Sequence, residues 1–360
     1  MIKKYPFYIK STIVLLGLFL ISNVLTGLRD IMVPLAFSVL LAILLNPLTN
    51  FLQKKKLPQV LAISIAMLIG FIIILAILYF VSSQISSFST ELPLLKKKFI
   101  ELFNTSQQVL QNRFNIPINE QQQYIDHFKN SLKPLVGATI GTVFGSLAIV
   151  FLLPVYTFLI LFYKKLLLNF LFEVFEDKNS KEVGIVLHQT KGAIQSYMVG
   201  LILEGLIVAV LNTIALLILG LKYAILLGVI GAILNVLPYI GGIIAVLLPV
   251  IIATITKDGF HTQLGIVIAY IIIQFIDNHY LIPVIVSSRV KINALVSIVI
   301  VLMGGALWGI PGMFLSIPFI GILKIIFDRI PELKPWGKLL GSEVPTGHKG
   351  EKLRLSKIKP

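Results

Sequence analysis

GVIGAILNVLPYIGGIIAVLLPVII, residues Gly228 to Ile252, decides what kind of chain this is. The stretch holds no charged residue, and an uninterrupted apolar run of this length reads as a membrane helix. Its centre, Asn235-Val236-Leu237-Pro238-Tyr239-Ile240-Gly241-Gly242, breaks the pattern. Proline removes a backbone donor and glycine opens turns that other residues resist, so the helix does not stay regular. In hydrocarbon an unpaired backbone group is costly, so a break survives only where protein or a water-filled cavity covers it. Secondary transporters build their binding sites at such breaks.

The same character extends outward over the chain. Of its 360 residues, 57% are hydrophobic and 13% charged, and the mean hydropathy is +0.94. A soluble domain carries about 25% charged residues, so this chain has too little polar surface to live in water. The expected fold class is all-α: a polytopic helical membrane protein of about eight spans, with broken or re-entrant helices in its C-terminal half. The absence of cysteine excludes disulfides, thiolate metal sites and a cysteine nucleophile. A net charge of +15 reads as Lys and Arg gathered beside membrane spans, with no nucleic-acid partner implied.

Toward the amino terminus, residues 1–83 read as a helical hairpin and a third span. Lys3, Lys4 and Lys10 at one foot and Lys54-Lys55-Lys56 at the other place both feet in the cytoplasm. Residues 84–134 form a polar insert whose apolar positions recur at helical spacing, the pattern of amphipathic helices lying on a membrane or on the bundle. The topology puts this insert outside the cytoplasm. A fourth span covers 135–165, and a cytoplasmic amphipathic segment covers 166–195.

The C-terminal core covers 196–328, and a basic cytoplasmic tail covers 329–360. Within the core, Tyr223 to Thr256 is 34 residues long, too many for one upright helix of about 20. It must tilt, kink or fold back at Pro238. Ile292 to Leu323 is a second overlong uncharged run, with breaks expected at Gly304-Gly305 and at Gly309-Ile310-Pro311-Gly312. Shifted by 69 positions the two runs overlay, Lys222 on Lys291, Tyr239 on Trp308 and Pro249 on Pro318. If the overlay is real, the two halves of the core are parallel copies. In this arrangement Arg289 and Lys291 fall on the outer side, against the positive-inside rule.

The residues from Gln195 to Phe327 resemble the autoinducer-2 exporter family of bacterial permease-like membrane proteins. The likeness is carried by Tyr197-x-x-Gly200, PYIGG at Pro238–Gly242, Asp277-Asn278-His279 followed by Pro283, and Gly304-Gly305 with Gly309-Ile310-Pro311-Gly312. Leu201 departs from it, standing where the family carries a polar Gln, which leaves any role of that amide open. The resemblance implies a multi-pass protein of the bacterial inner membrane and a homo-oligomer, with a pentamer as the candidate assembly. It also implies export of a small polar solute, with cation or proton antiport proposed for some relatives.

Glu204 is the only acid in its span. A buried acid in a membrane faces other helices or water, which makes it a candidate proton carrier; the plain alternative is a hydrated carboxyl near the interface. Asp277, Asn278 and His279 are consecutive and point different ways around a helix. They line one pathway only if the helix unwinds near Pro283, and otherwise they are polar residues at a helix end. Asn235 and Tyr239 beside Pro238 offer polar contacts, and Gly241 and Gly242 expose backbone or permit close packing. Gly309, Pro311 and Gly312 read as hinge or packing residues on the path. No cofactor is expected, and His188, His261 and His279 lack metal-ligand spacing.

Two functions fit. One is a secondary exporter of a small polar solute or ion, with a sodium/proton antiporter as its variant and Glu204 and Asp277 as coupling acids. The other is a scaffold whose insert and basic tail bind membrane lipid or partner proteins. No phosphate-binding loop, zinc-protease motif or nucleophile elbow is present, so no enzyme is expected.

Overall fold

The computed structural model describes residues 6–89, 92–114, 117–118, 121–123, 147–236, 241–257, 259–286 and 292–342. The described residues form an all-helical membrane protein. Helices α1 (Phe7–Gly27) and α2 (Arg29–Lys54) make the first hairpin around Leu28. Lys56, with φ of 66°, ends it and leads into α3 (Gln59–Ser89). Ile72, Ile73, Leu75 and Tyr79 on α3 are all exposed. An apolar surface of that extent needs lipid or another protein against it.

Leu92–Phe114 is α4, the amphipathic helix expected in the insert. Its Leu95 is buried in a cluster with Ile252 and Ala253. After α5 (Leu147–Phe162) the chain bends by 65° into α6 (Lys164–Val174). The Lys164 amine at the bend donates to Asn46 Oδ1 at 2.7 Å, tying it to the end of α2. Helix α7 (Glu176–Ile218) then runs unbroken for 43 residues, about 65 Å, so the cytoplasmic segment expected up to residue 195 continues directly into the fifth span.

Both overlong apolar runs are helical hairpins. The first is α8 (Ala224–Asn235) and α9 (Gly241–Thr256); Pro238 and Tyr239 between them lie outside the described residues. Helix α8 descends antiparallel to α7, with Gly228 against Thr213, Gly231 against Asn212, and Asn235 bonded to Glu204. Helix α9 climbs back, so that Gly231 meets Ala245 and Lys257 returns to Gly220. Its arms of 12 and 16 residues reach only about 18 and 24 Å, short of the roughly 30 Å hydrocarbon core. This hairpin enters the membrane without crossing it.

Next comes α10 (His261–Ile276), continued by a π-helical segment, Asp277–Val286. The second hairpin is α11 (Ala294–Trp308) and α12 (Ile310–Arg329), followed by the short α13 (Lys334–Leu340). It turns once, at Gly309, whose φ of 67° suits glycine. The break expected at Gly304-Gly305 is absent. These glycines stay helical because they let the arms touch: a Cβ on Gly304 would sit 2.9 Å from the Gly312 carbonyl carbon. Ser316 Oγ crosses the same seam to Ile300 O at 3.0 Å.

The hairpins enter from opposite ends. The feet of the first lie at Gly220, beside the end of α3, where Phe88 and Tyr223 meet edge-on at 4.9 Å. The feet of the second lie at the start of α7: Arg329 pairs with Glu182 at 3.7 Å, and Asn293 N–H donates to Leu340 O at 3.0 Å. Its tip reaches the far end of the bundle, where Trp308 Nε1 donates to Leu25 O at 2.9 Å. The two units, α7 with the first hairpin and α10 with the second, are therefore inverted with respect to each other, not parallel copies. Arg289 and Lys291, which the sequence reading put on the outer side, lie outside the described residues.

Among the described residues five helices are long and apolar enough to cross a membrane, or six if the bent α5–α6 pair counts as one span. The expectation of about eight spans is not confirmed by that count, since several of its runs are the shorter arms of hairpins.

Candidate functional site

The interior face of α7 follows from helical spacing. Glu204, Val208, Asn212 and Leu216 recur every four residues and are all buried. Ile266, Tyr270, Ile273 and Asp277 form the corresponding stripe on α10 and its π-helical continuation. Helix α8 lies between the two stripes and ends on Asn235.

At that end, four side chains from three elements meet. Asn235 Nδ2 donates to Asp277 Oδ2 at 2.9 Å and to Glu204 Oε1 at 3.4 Å. Gln274 Nε2 donates to Asn235 Oδ1 at 2.9 Å and lies 3.5 Å from Asp277 Oδ2. Glu204 is 5% exposed and Asp277 is 1% exposed. Neither makes an ion pair among the described residues. Asp277 Oδ1 is buried and finds no hydrogen-bond partner among them.

Two carboxyls share one amide donor, and no Lys or Arg among the described residues pairs with either. An unpaired acid inside a membrane costs about 2.5–3.5 kcal/mol on insertion scales, so two side by side are a strong departure from what packing alone selects. A proton, a monovalent cation or a solute donor would satisfy the open oxygen.

Asp277 also marks where the helix widens. Proline at 283 has no N–H and its ring crowds the carbonyl four residues back. From Asp277 the chain adopts π-helical turns across that proline, a geometry that recurs at functional sites. The helix does not unwind, so Asp277, Asn278 and His279 do not converge. Asn278 and His279 are exposed on the outside of the bundle, and His279 stacks on Phe275 at 4.2 Å with Nδ1 3.0 Å from the Phe275 carbonyl.

The glycines divide in the same way. A Cβ on Gly242 would lie 3.0 Å from Gln274 Oε1, so this glycine borders the site. Gly241 packs against Leu234 and Asn235, closing the hairpin on itself. Gly309, Pro311 and Gly312 shape the second hairpin and have no contact with the acids. The residue not singled out from sequence is Gln274. Its signal was there: it stands one helical turn before Asp277 in an otherwise apolar run.

The chain matches the family description "AI-2E family transporter" over residues 9–332. It belongs to the AI-2E transporter family. Among its relatives, the "AI-2 transport protein TqsA" of Escherichia coli K12 is 26% identical over 325 residues, covering 88% of this chain and 91% of TqsA. The "Putative transport protein YrrI" of Bacillus subtilis 168 is 27% identical over 311 residues, covering 83% of this chain and 86% of its own length. The "Putative transport protein" of Haemophilus influenzae is 25% identical over 338 residues, covering 91% of this chain and 95% of its own length. Membrane-spanning helices and this family make the chain a bacterial membrane transport protein. In this AI-2E transporter the buried acids sit at the end of a helix that enters the membrane and turns back, between two inverted units. That is the placement expected of a transport site.

Proposed function

We propose that this protein is a secondary exporter of a small polar solute, coupled to protons or a monovalent cation through Glu204 and Asp277. The observation that carries the reading is the single Asn235 amide shared by two buried acids at a hairpin end. The amide nitrogen has a donor for each acid, so a positive charge taken up or released at the pair is felt directly by Asn235. Movement of the hairpin carries Asn235 with it, which links the charge state of the acids to the position of α8. The inverted units supply the two arrangements that alternating access requires.

The open Asp277 Oδ1 favours a second reading of the same site, in which sodium takes the place of the solute and the protein is a sodium/proton antiporter. Location in the inner membrane with both termini cytoplasmic belongs to this proposal. It is supported by Lys54-Lys55-Lys56 and Lys164-Lys165, gathered at one end of the bundle where Lys164 bonds Asn46.

The test uses purified protein in proteoliposomes with a pH-sensitive dye inside. A proton gradient is imposed and sodium, potassium or AI-2, the cargo in TqsA's name, is added in turn. Dye recovery on one addition, lost in Asp277→Asn, supports coupled transport and names the partner. Recovery that persists in both Asp277→Asn and Glu204→Gln overturns the coupling role.

A further inference from the structure

A second group of polar side chains lies along the same seam, on the Gly220 side of the acids. Asn212 on α7 is 2% exposed and Tyr270 on α10 is 4% exposed. Asn212 Oδ1 and the Tyr270 hydroxyl are both buried without a hydrogen-bond partner among the described residues. Both side chains converge on Gly231 of α8: a Cβ there would sit 3.2 Å from Asn212 Nδ2 and 3.4 Å from the Tyr270 hydroxyl. Three helices thus bring an amide, a phenol and a bare backbone to one point.

Spacing ties this point to the acids. Asn212 is eight residues from Glu204, and Tyr270 seven from Asp277, about 12 and 10 Å along their helices. Gly231 is four residues from Asn235, about 6 Å. The same three helices that build the acidic site build the second point. Leaving buried polar atoms unpaired is costly, and native structures rarely do it without a bound water, ion or functional reason. Beyond the point the seam is apolar: Leu216, Leu227, Ala245 and Ile266 cluster with Tyr270. No charged residue belongs to that cluster, so the point suits a neutral group.

We propose that Asn212 and Tyr270 form a hydroxyl-binding station of the transport path, taking the O–H of a water molecule or of the transported solute. Tyr270 donates to that oxygen or accepts from its O–H, Asn212 Oδ1 accepts a hydrogen bond from the same O–H group or water, and Gly231 leaves the room. The station sits between the acidic site and the apolar plug, so cargo or a proton-relaying water stops there before the Gly220 end opens. The transport part of the inference rests on the proposed function; the binding part does not.

The experiment is radiolytic hydroxyl-radical labelling of the full-length protein in nanodiscs, followed by flux in proteoliposomes. Without solute, a station that holds water gives Tyr270 labelling, corrected for intrinsic side-chain reactivity, several-fold above Leu227 and Ile266, and Gly231→Ala removes it. Tyr270→Phe, which keeps the ring, then separates the sources. A raised KM for AI-2 with proton flux intact assigns the site to a solute hydroxyl. Reduced proton flux with the KM unchanged assigns it to a relay water. Labelling with both flux properties unchanged leaves a structural water and overturns the transport role. An unlabelled Tyr270 together with unchanged flux overturns the station entirely. Normal proton flux in both Glu204→Gln and Asp277→Asn would sink the coupling reading separately, while the labelling still decides whether the station exists.

Discussion

The two hairpins begin from the same sequence pattern and end as different objects. Each is an uncharged run too long for one helix, interrupted by Gly and Pro. The first, α8–α9, stops short at Asn235 among Glu204, Gln274 and Asp277. The second, α11–α12, reaches the far end of the bundle, where Trp308 is pinned to the Leu25 carbonyl. Its seam is closed by Gly304 against Gly312 and by Ser316. No acid of the described residues faces it. A helix break in a membrane protein is therefore not itself a site; it becomes one where polar side chains of neighbouring helices converge on the open end.

The sharpest way to break this contrast is to remove charge at the first hairpin. Glu204→Gln and Asp277→Asn should each abolish coupled flux in proteoliposomes while the protein still inserts and runs as a single species on size exclusion. Wild-type flux in both would make the first hairpin as inert as the second. Next in size is Asn235→Ala, which removes the shared donor and leaves both acids in place. A hydrogen bond to a charged group contributes about 1.5–3 kcal/mol, so transport should fall by about 10- to 100-fold. A loss below two-fold would show that the amide does not link the hairpin to the acids.

The sequence exposed the chemistry more readily than the geometry. Membrane class, helical fold, Glu204 and Asp277 were legible because charge in an apolar run is conspicuous and expensive. Direction was not legible. Hydropathy counts residues, and 34 apolar residues look alike whether they cross once, tilt or return. What settles the matter is contact between distant positions, Lys257 at Gly220 and Arg329 at Glu182, which no local pattern carries. Asn235 stood beside Pro238 in the sequence, but its pairing across two other helices did not.

At the second hairpin the expected effect moves from transport to stability. Gly304→Val drives side-chain atoms into Gly312 and Ser316, and overpacking of this kind costs about 1–3 kcal/mol. The melting temperature in detergent should fall, while flux per folded molecule at a permissive temperature stays at the wild-type level. A selective loss of coupling without a stability change would put a transport role into α11–α12 and erase the distinction between the hairpins.

The smallest effects are expected from the two neighbours of Asp277. Consecutive residues on a helix point in different directions, and here Asp277 takes the interior while Asn278 and His279 face outward. His279 rests on Phe275 and returns its Nδ1 to the carbonyl of the same residue, contacts that close a local loop without reaching Glu204. Asn278→Ala and His279→Ala should therefore change flux by no more than about two-fold, the scale of a surface substitution within about 0.5 kcal/mol. The π-helical turns from Asp277 to Val286 give this prediction its edge. A π-helix that tightens to α shifts its register, and the side chain facing the interior then changes. If His279→Ala were as damaging as Asp277→Asn, the histidine must enter the site during the cycle. The segment around Pro283 would then be the moving part, and the first hairpin the fixed wall against which it turns.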